Sequence, residues 1–254
     1  MSPDLRFGTL GLPDEIEVLL FDMDGVLTQT AKIHAAAWKR TFDAFLRRRA
    51  DQTGDEFVAF DAVSDYDDYV DGRPREDGVR SFLKSRGIEL PEGAPDDPPD
   101  ADTVAGIGND KNRRVLALIH DRGVEPYAGS VRYVHAARDA GLKRAVVSSS
   151  TNTHEVLAAA ELGGLFDAVI DGNVARREHL HGKPAPDTFL AAARALGAVP
   201  AHAVVFEDAL AGVAAGRAGG FGYVVGVDRV GQREALEAHG ADVVVSDLAE
   251  LLRS

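Results

Sequence analysis

The 254-residue chain has no cysteine, which excludes disulfides and thiolate-held metals. Basic residues are in short supply. Lys and Arg number 28 against 41 Asp and Glu, a net charge of −13. Such a balance repels phosphate backbones and anionic lipid, so neither nucleic acid nor a membrane is an expected partner. An anionic small substrate would need local positive charge or a metal. No uninterrupted apolar run approaches membrane-spanning length, and the start MSPDLRFGTLGLPDE lacks a basic segment followed by an apolar one; the expected location is the cytoplasm. With 45% hydrophobic residues, the chain can bury one large core or a core with a smaller companion.

Its texture is uneven. An apolar strand is expected at Glu17–Phe21 and a helix at Ala31–Arg49, where Ile33, Trp38, Phe42, Phe45 and Leu46 recur near helical spacing. From Asp51 to about Glu125 the pattern is helical and irregular, and Pro91–Thr103 (PEGAPDDPPDADT) has the composition of a mobile surface loop. From Arg144 onward short β-branched runs (RAVVS, FDAVI, AVVF, GYVVGV, DVVV) alternate with alanine-rich helices. That alternation predicts an α/β fold, a Rossmann-like parallel sheet with helices on both faces. The first strand is separated from its partners by the helical stretch, so the expected organisation is a core of residues 1–30 and 126–254 with an inserted α-helical cap at 31–125. Ligands of open parallel sheets bind beyond the carboxyl ends of the strands, and an insertion leaving there can act as a lid.

Four polar features fall at strand ends or nearby loops. Asp22 and Asp24 follow the first strand; residues two apart can share a side, and like charges so close need a cation, a hydrogen-bond network or a raised pKa. Glu207 and Asp208 follow the run Ala203–Phe206. Ser148–Asn152 (SSSTN) ends another strand, and Gly182–Asp187 (GKPAPD) precedes a helix. Aspartates and glycines also serve simply as strand caps and turn formers. Together, though, these features offer carboxylates suited to Mg²⁺, a hydroxyl, and an ammonium able to hold a phosphoryl group.

In this order, DMDGVLT, VVSSS, GKPAPD and FED resemble the four signature motifs of the haloacid dehalogenase-like phosphotransferases across essentially the whole chain. The insertion is similar to that family's helical cap. DGVLTQTAKIHAAAW, VDGRPRED, NDKN and GKPAPDTFLAAA resemble the β-phosphoglucomutase branch. The resemblance implies Asp22 as nucleophile, forming an aspartyl phosphate, and Asp24 as general acid and base. It implies Mg²⁺ as cofactor, held by Asp22, Asp208 and the Asp24 backbone carbonyl with Glu207 in support. Ser148 and Lys183 would hold the phosphoryl oxygens, with Ser149 and Asn152 beside them. In the insertion, Arg75, Lys111, Asn112 and His34 would bind the substrate.

The implied partner is a sugar phosphate and the implied state a monomer. The implied reaction interconverts β-glucose 1-phosphate and glucose 6-phosphate; a sugar-phosphate phosphatase would use the same residues, and a non-catalytic phospho-sensor is the remote alternative. The second aspartate favours phosphoryl transfer over dehalogenation, which needs no leaving-group proton. Gln29 departs from the aspartate usual in the mutases, and Ala209 stands where the family often has serine. Trp38 reads as packing, His179 and His181 as exposed loop residues, and Gly220–Gly222 as a turn.

Overall fold

A computed structural model of the protein describes residues 10–253. In chain order, β1 (Val18–Phe21) leads into α1 (Ala31–Thr53), α2 (Ser64–Tyr69), α3 (Arg75–Ser85) and α4 (Val104–Arg122). There follow α5 (Ala128–Asp139), β2 (Lys143–Val147), α6 (Thr153–Ala159), β3 (Ala168–Ile170), α7 (Gly172–Arg177) and α8 (Asp187–Leu196). The chain ends with β4 (Ala203–Glu207), α9 (Leu210–Ala218), β5 (Tyr223–Val227), α10 (Arg233–His239) and β6 (Val243–Val245). It divides into two compact units, one holding the chain through Gln29 and from Val124 onward, the other Thr30–Gly123. None of the described helices is long and apolar enough to cross a membrane.

The first unit is a six-stranded parallel sheet in the order β3-β2-β1-β4-β5-β6. Its central strands are apolar on both faces, as a parallel sheet covered by helices requires. On one face Val18, Leu20, Val147 and Val205 pack with Phe189 and Ala192 of α8 and Val213 of α9. On the other, Phe21 stacks on Phe206 at 4.5 Å between ring centroids, and Tyr133 of α5 meets both rings edge-on. The buried Tyr133 hydroxyl donates to the Leu10 carbonyl at 2.9 Å, and burial raises its pKa. Helix α5 received no assignment from the sequence; it lies in this unit, covering the aromatic face.

The chain reverses its direction of sheet growth between β1 and β4, and their carboxyl ends open the crevice where such folds bind ligands. Phe21 is in register with Phe206 and with Val146 of β2, so the residues that follow β1, β2 and β4 emerge side by side.

The second unit is entirely helical among its described elements. Phe42 is its centre, with ring centroids of Phe82, Trp38 and Phe60 at 4.1, 5.0 and 5.2 Å; Trp38 is packing, as its spacing suggested. Helix α1 runs past Arg49 to Thr53 because nothing breaks it before Gly54, which closes it in a left-handed conformation with φ 78°. Pro91–Thr103 is irregular, but it is tied down rather than loose. Asn109 donates to the carbonyls of Pro95 and Asp97, Thr103 to the Asp97 carboxylate, and Val104 to Pro91. Composition announced the lack of regular structure and could not reveal these anchors.

Phe42→Ala should remove about 3–5 kcal/mol of stability by leaving a cavity among the three rings of Trp38, Phe60 and Phe82. Denaturant unfolding followed by the fluorescence of Trp38, the sole tryptophan, measures it; a loss below about 1 kcal/mol would contradict this packing.

Candidate active site

Asp22 leaves β1 with its N–H donating to Phe206 of β4 at 2.9 Å, which sets it beside Glu207. Lys183 enters from the loop before α8. Its Nζ donates to Asp22 Oδ1 at 2.5 Å, to Glu207 Oε1, and to the Val147 carbonyl of β2 at 3.4 Å. All three side chains are almost wholly shielded from water. The ammonium thus ties together the ends of β1, β2 and β4.

Glu207 is held at both oxygens, Oε1 by Lys183 and Oε2 by the Ala209 N–H at 2.8 Å. Gly212, one turn into α9, makes room for it, since a Cβ there would overlap the carboxylate. Gly25 has the same relation to Asp208: it adopts φ 89° in the turn after Asp24, and a Cβ would overlap the Asp208 carboxylate. That turn is closed by Gly25 N–H to Thr28 O and by the amides of Leu27 and Thr28 to Met23 O.

Carboxylate oxygens of Asp22, Glu207 and Asp208 lie within 4.8 Å of one another. Burial raises the Asp22 pKa well above the usual carboxylate range, with repulsion from Glu207 and Asp24 adding to it and Lys183 opposing. Burial disfavours the Lys183 cation, but Asp22 and Glu207 outweigh it and hold the ammonium charged. The single Lys183 ammonium is shared by two of these carboxylates, Asp22 and Glu207. Hard oxygen donors with surplus negative charge fit a divalent cation. Both Glu207 oxygens are engaged by Lys183 and the Ala209 amide, so Asp22 and Asp208 are the candidate carboxylate ligands. Sequence reasoning had assigned the Asp24 contribution to its backbone carbonyl, and the Asp24 carboxylate lies outside the cluster.

Ser148 follows β2 and is buried, its N–H donating to Ile170 O and its Oγ accepting from Ser150 N–H at 3.1 Å. Ser149 is half-buried and Asn152 nearly buried at the start of α6. In the helical unit, Lys111 Nζ lies 3.0 Å from His34 Nδ1 and 5.0 Å from the Trp38 ring centroid. Arg75 packs against Gly108, one turn before Lys111 on α4, and donates to Glu76 Oε1 from Nε (3.2 Å) and Nη2 (2.9 Å). His34, Lys111 and Arg75 therefore share a region of that unit, and Asn112 is half-buried on the same helix. His181 is an exposed loop residue, paired with Asp187 at 2.9 Å.

Gly212 was not singled out from sequence. A glycine inside an alanine-rich helix, one of two with Gly216, was the available signal.

These features define a class. A family model described as haloacid dehalogenase-like hydrolase matches residues 16–220, and the chain belongs to that family. It is 56% identical over 253 residues to a protein named beta-phosphoglucomutase in Mycobacterium tuberculosis (strain CDC 1551 / Oshkosh), across 98% of this chain and 97% of that protein. A beta-phosphoglucomutase of Bacillus subtilis (strain 168) is 30% identical, covering 93% and 92% of the two chains. The solved beta-phosphoglucomutase of Clostridium difficile shares the fold with a TM-score of 0.73 at 24% identity, over 93% of each chain.

Lys183→Met should lower stability by about 3–5 kcal/mol in metal-free buffer, because it leaves two buried carboxylates uncompensated. Adding Glu207→Gln should restore part of the loss. Denaturant unfolding compares them, and a double variant no more stable than the single one would refute the shared ammonium.

Proposed function

We propose that the chain is a Mg²⁺-dependent phosphomutase converting β-glucose 1-phosphate to glucose 6-phosphate through a bisphosphate. The observation that carries the reading is the buried Asp22–Lys183–Glu207 cluster beside Asp208 at the β1/β4 crevice, in a chain 56% identical to a protein named for this activity.

A carboxylate oxygen of Asp22 attacks phosphorus, forming an acyl phosphate as the bond to the leaving sugar oxygen breaks. Asp24, only half-buried, donates the proton that oxygen needs. It then takes a proton from the hydroxyl of the next acceptor, which receives the phosphoryl group and regenerates the Asp22 carboxylate. Lys183 and Ser148 hold the phosphoryl oxygens, where charge spreads in a loose transition state. Glu207 keeps the ammonium aimed. Asp22, Asp208 and the Asp24 carbonyl would hold Mg²⁺, which when bound neutralises phosphoryl charge and relieves the repulsion among the carboxylates. In the helical unit, Arg75, Lys111, His34 and Asn112 bind the sugar phosphate, and Ser149 and Asn152 line the approach to Ser148. Arg75 supplies a fork suited to the second, non-transferring phosphate.

A sugar-phosphate phosphatase would use the same groups with water as acceptor. Incubating β-glucose 1-phosphate with a bisphosphate primer and Mg²⁺ separates the two. Glucose 6-phosphate without stoichiometric free phosphate is expected; the reverse outcome overturns the mutase reading. Asp22→Asn should abolish turnover, and Asp24→Asn should reduce it by about 10²–10⁴-fold with the fold intact. Near-wild-type rates in either would refute the roles.

A further inference from the structure

The loop after β5, Asp228–Gln232, has no part in the chemistry above, yet it holds both acidic turns. Arg229 lies with its guanidinium carbon 3.5 Å from the Tyr127 ring centroid, a stacked arrangement that fixes its plane. From there Nε donates to the Gly25 carbonyl at 2.8 Å, Nη2 to the Val26 carbonyl at 3.5 Å, and Nη1 to the Ser246 carbonyl at 2.6 Å, with Asp247 Oδ2 3.7 Å away. Three residues on, Gln232 Nε2 donates to the Asp208 carbonyl at 2.9 Å.

The loop that presents them is itself fixed. Asp228 N–H donates to Val245 O of β6 at 2.8 Å, and Asp228 Oδ1 accepts from the amides of Val230, Gly231 and Gln232 at 3.2, 2.6 and 2.9 Å. Gly231 takes φ 86° to complete the turn. The two targets are adjacent, since the Gly25 backbone lies directly against the Asp208 carboxylate. A shift of either turn would therefore be felt by the other.

We infer that Arg229 and Gln232 are positioning residues, one fixing the Gly25–Val26 turn that aims Asp24 and the other fixing the backbone that presents Asp208. The inference rests on the roles proposed above for Asp24 and Asp208. A lysine could not replace Arg229, because the contacts need a planar fork reaching several carbonyls at once. Val26 keeps a second donor, Ser130 Oγ at 2.6 Å, so the turn survives loss of Arg229 and only its setting changes. Outer partners of this kind typically govern about 10–100-fold in activity or metal affinity, and misplacing a reacting group by about 1 Å can cost about 10²-fold in rate.

The test uses Arg229→Met, Arg229→Lys and Gln232→Ala in the full chain. Three quantities are read: kcat and KM on β-glucose 1-phosphate, Mg²⁺ affinity by calorimetry without substrate, and hydrogen exchange at the Gly25–Leu27 amides. Arg229→Met should lower kcat by about 10–100-fold with KM changed less than about threefold, and should speed exchange at those amides. Arg229→Lys should recover little. Gln232→Ala, the milder change, should weaken Mg²⁺ binding about 10-fold at an unchanged unfolding temperature.

Unaltered kcat and exchange in Arg229→Met, full recovery by Arg229→Lys, or unaltered Mg²⁺ affinity in Gln232→Ala each overturns the corresponding half. If the wild-type protein does not turn over β-glucose 1-phosphate, the proposed function fails. The exchange and Mg²⁺ readouts then still decide the positioning inference.

Discussion

The structure depends on one buried ammonium shared by two carboxylates. Lys183 sits between Asp22 and Glu207, where all three are almost wholly shielded from water. Burying an isolated charge is prohibitively costly, and even a good pair gains little net stability. This cluster carries a further burden, because Asp24 and Asp208 add negative charge that Lys183 cannot balance. Burial, with repulsion from Glu207 and Asp24 adding to it, pushes the Asp22 carboxyl up against the pull of Lys183. Surplus negative charge that would weaken an ordinary core suits the binding of an added cation.

The fold concentrates these charges by simple means. Three adjacent parallel strands end together and supply groups to the same point: Asp22 from β1, the Val147 carbonyl from β2, and Glu207 with Asp208 from β4. Glycines at 25 and 212 leave the volume that the Asp208 and Glu207 carboxylates fill. The apolar layer beneath, with Phe21 stacked on Phe206, keeps the strand ends from shifting.

Much of this was legible in the sequence, and the reasons are local. The six strands are short apolar runs, five of them rich in valine or isoleucine, and the central ones are buried on both faces, so local composition marks them. Each acidic or basic motif directly follows such a run or precedes a helix, which placed Asp22, Lys183, Glu207 and Asp208 at one sheet edge. What escaped depended on long-range contact. Helix α5 is a partial exception, since Ser130, Tyr133, Val134 and Ala137 recur at helical spacing and were passed over, but its value lies in Tyr133 meeting rings from β1 and β4. Glu207 read as support for the metal shell; what no local pattern showed is that its oxygens also meet Lys183, 24 residues away, and the Ala209 amide. The Arg229 contact to Gly25 spans 204 residues. No local pattern announces such a pairing, although an arginine just past a strand's carboxyl end was a clue to position.

The central claim is that Asp22 and Glu207 share one buried ammonium in a cluster with Asp208, and that a divalent cation restores the balance. Thermal unfolding of the full chain against Mg²⁺ concentration tests it most directly. Stabilisation should rise with ligand concentration and reach about 2.7 kcal/mol at 100 times the dissociation constant. Asp208→Asn should be the more stable form without metal and indifferent to its addition. A wild-type transition that ignores Mg²⁺, or an Asp208→Asn protein that responds as wild type does, would contradict the account.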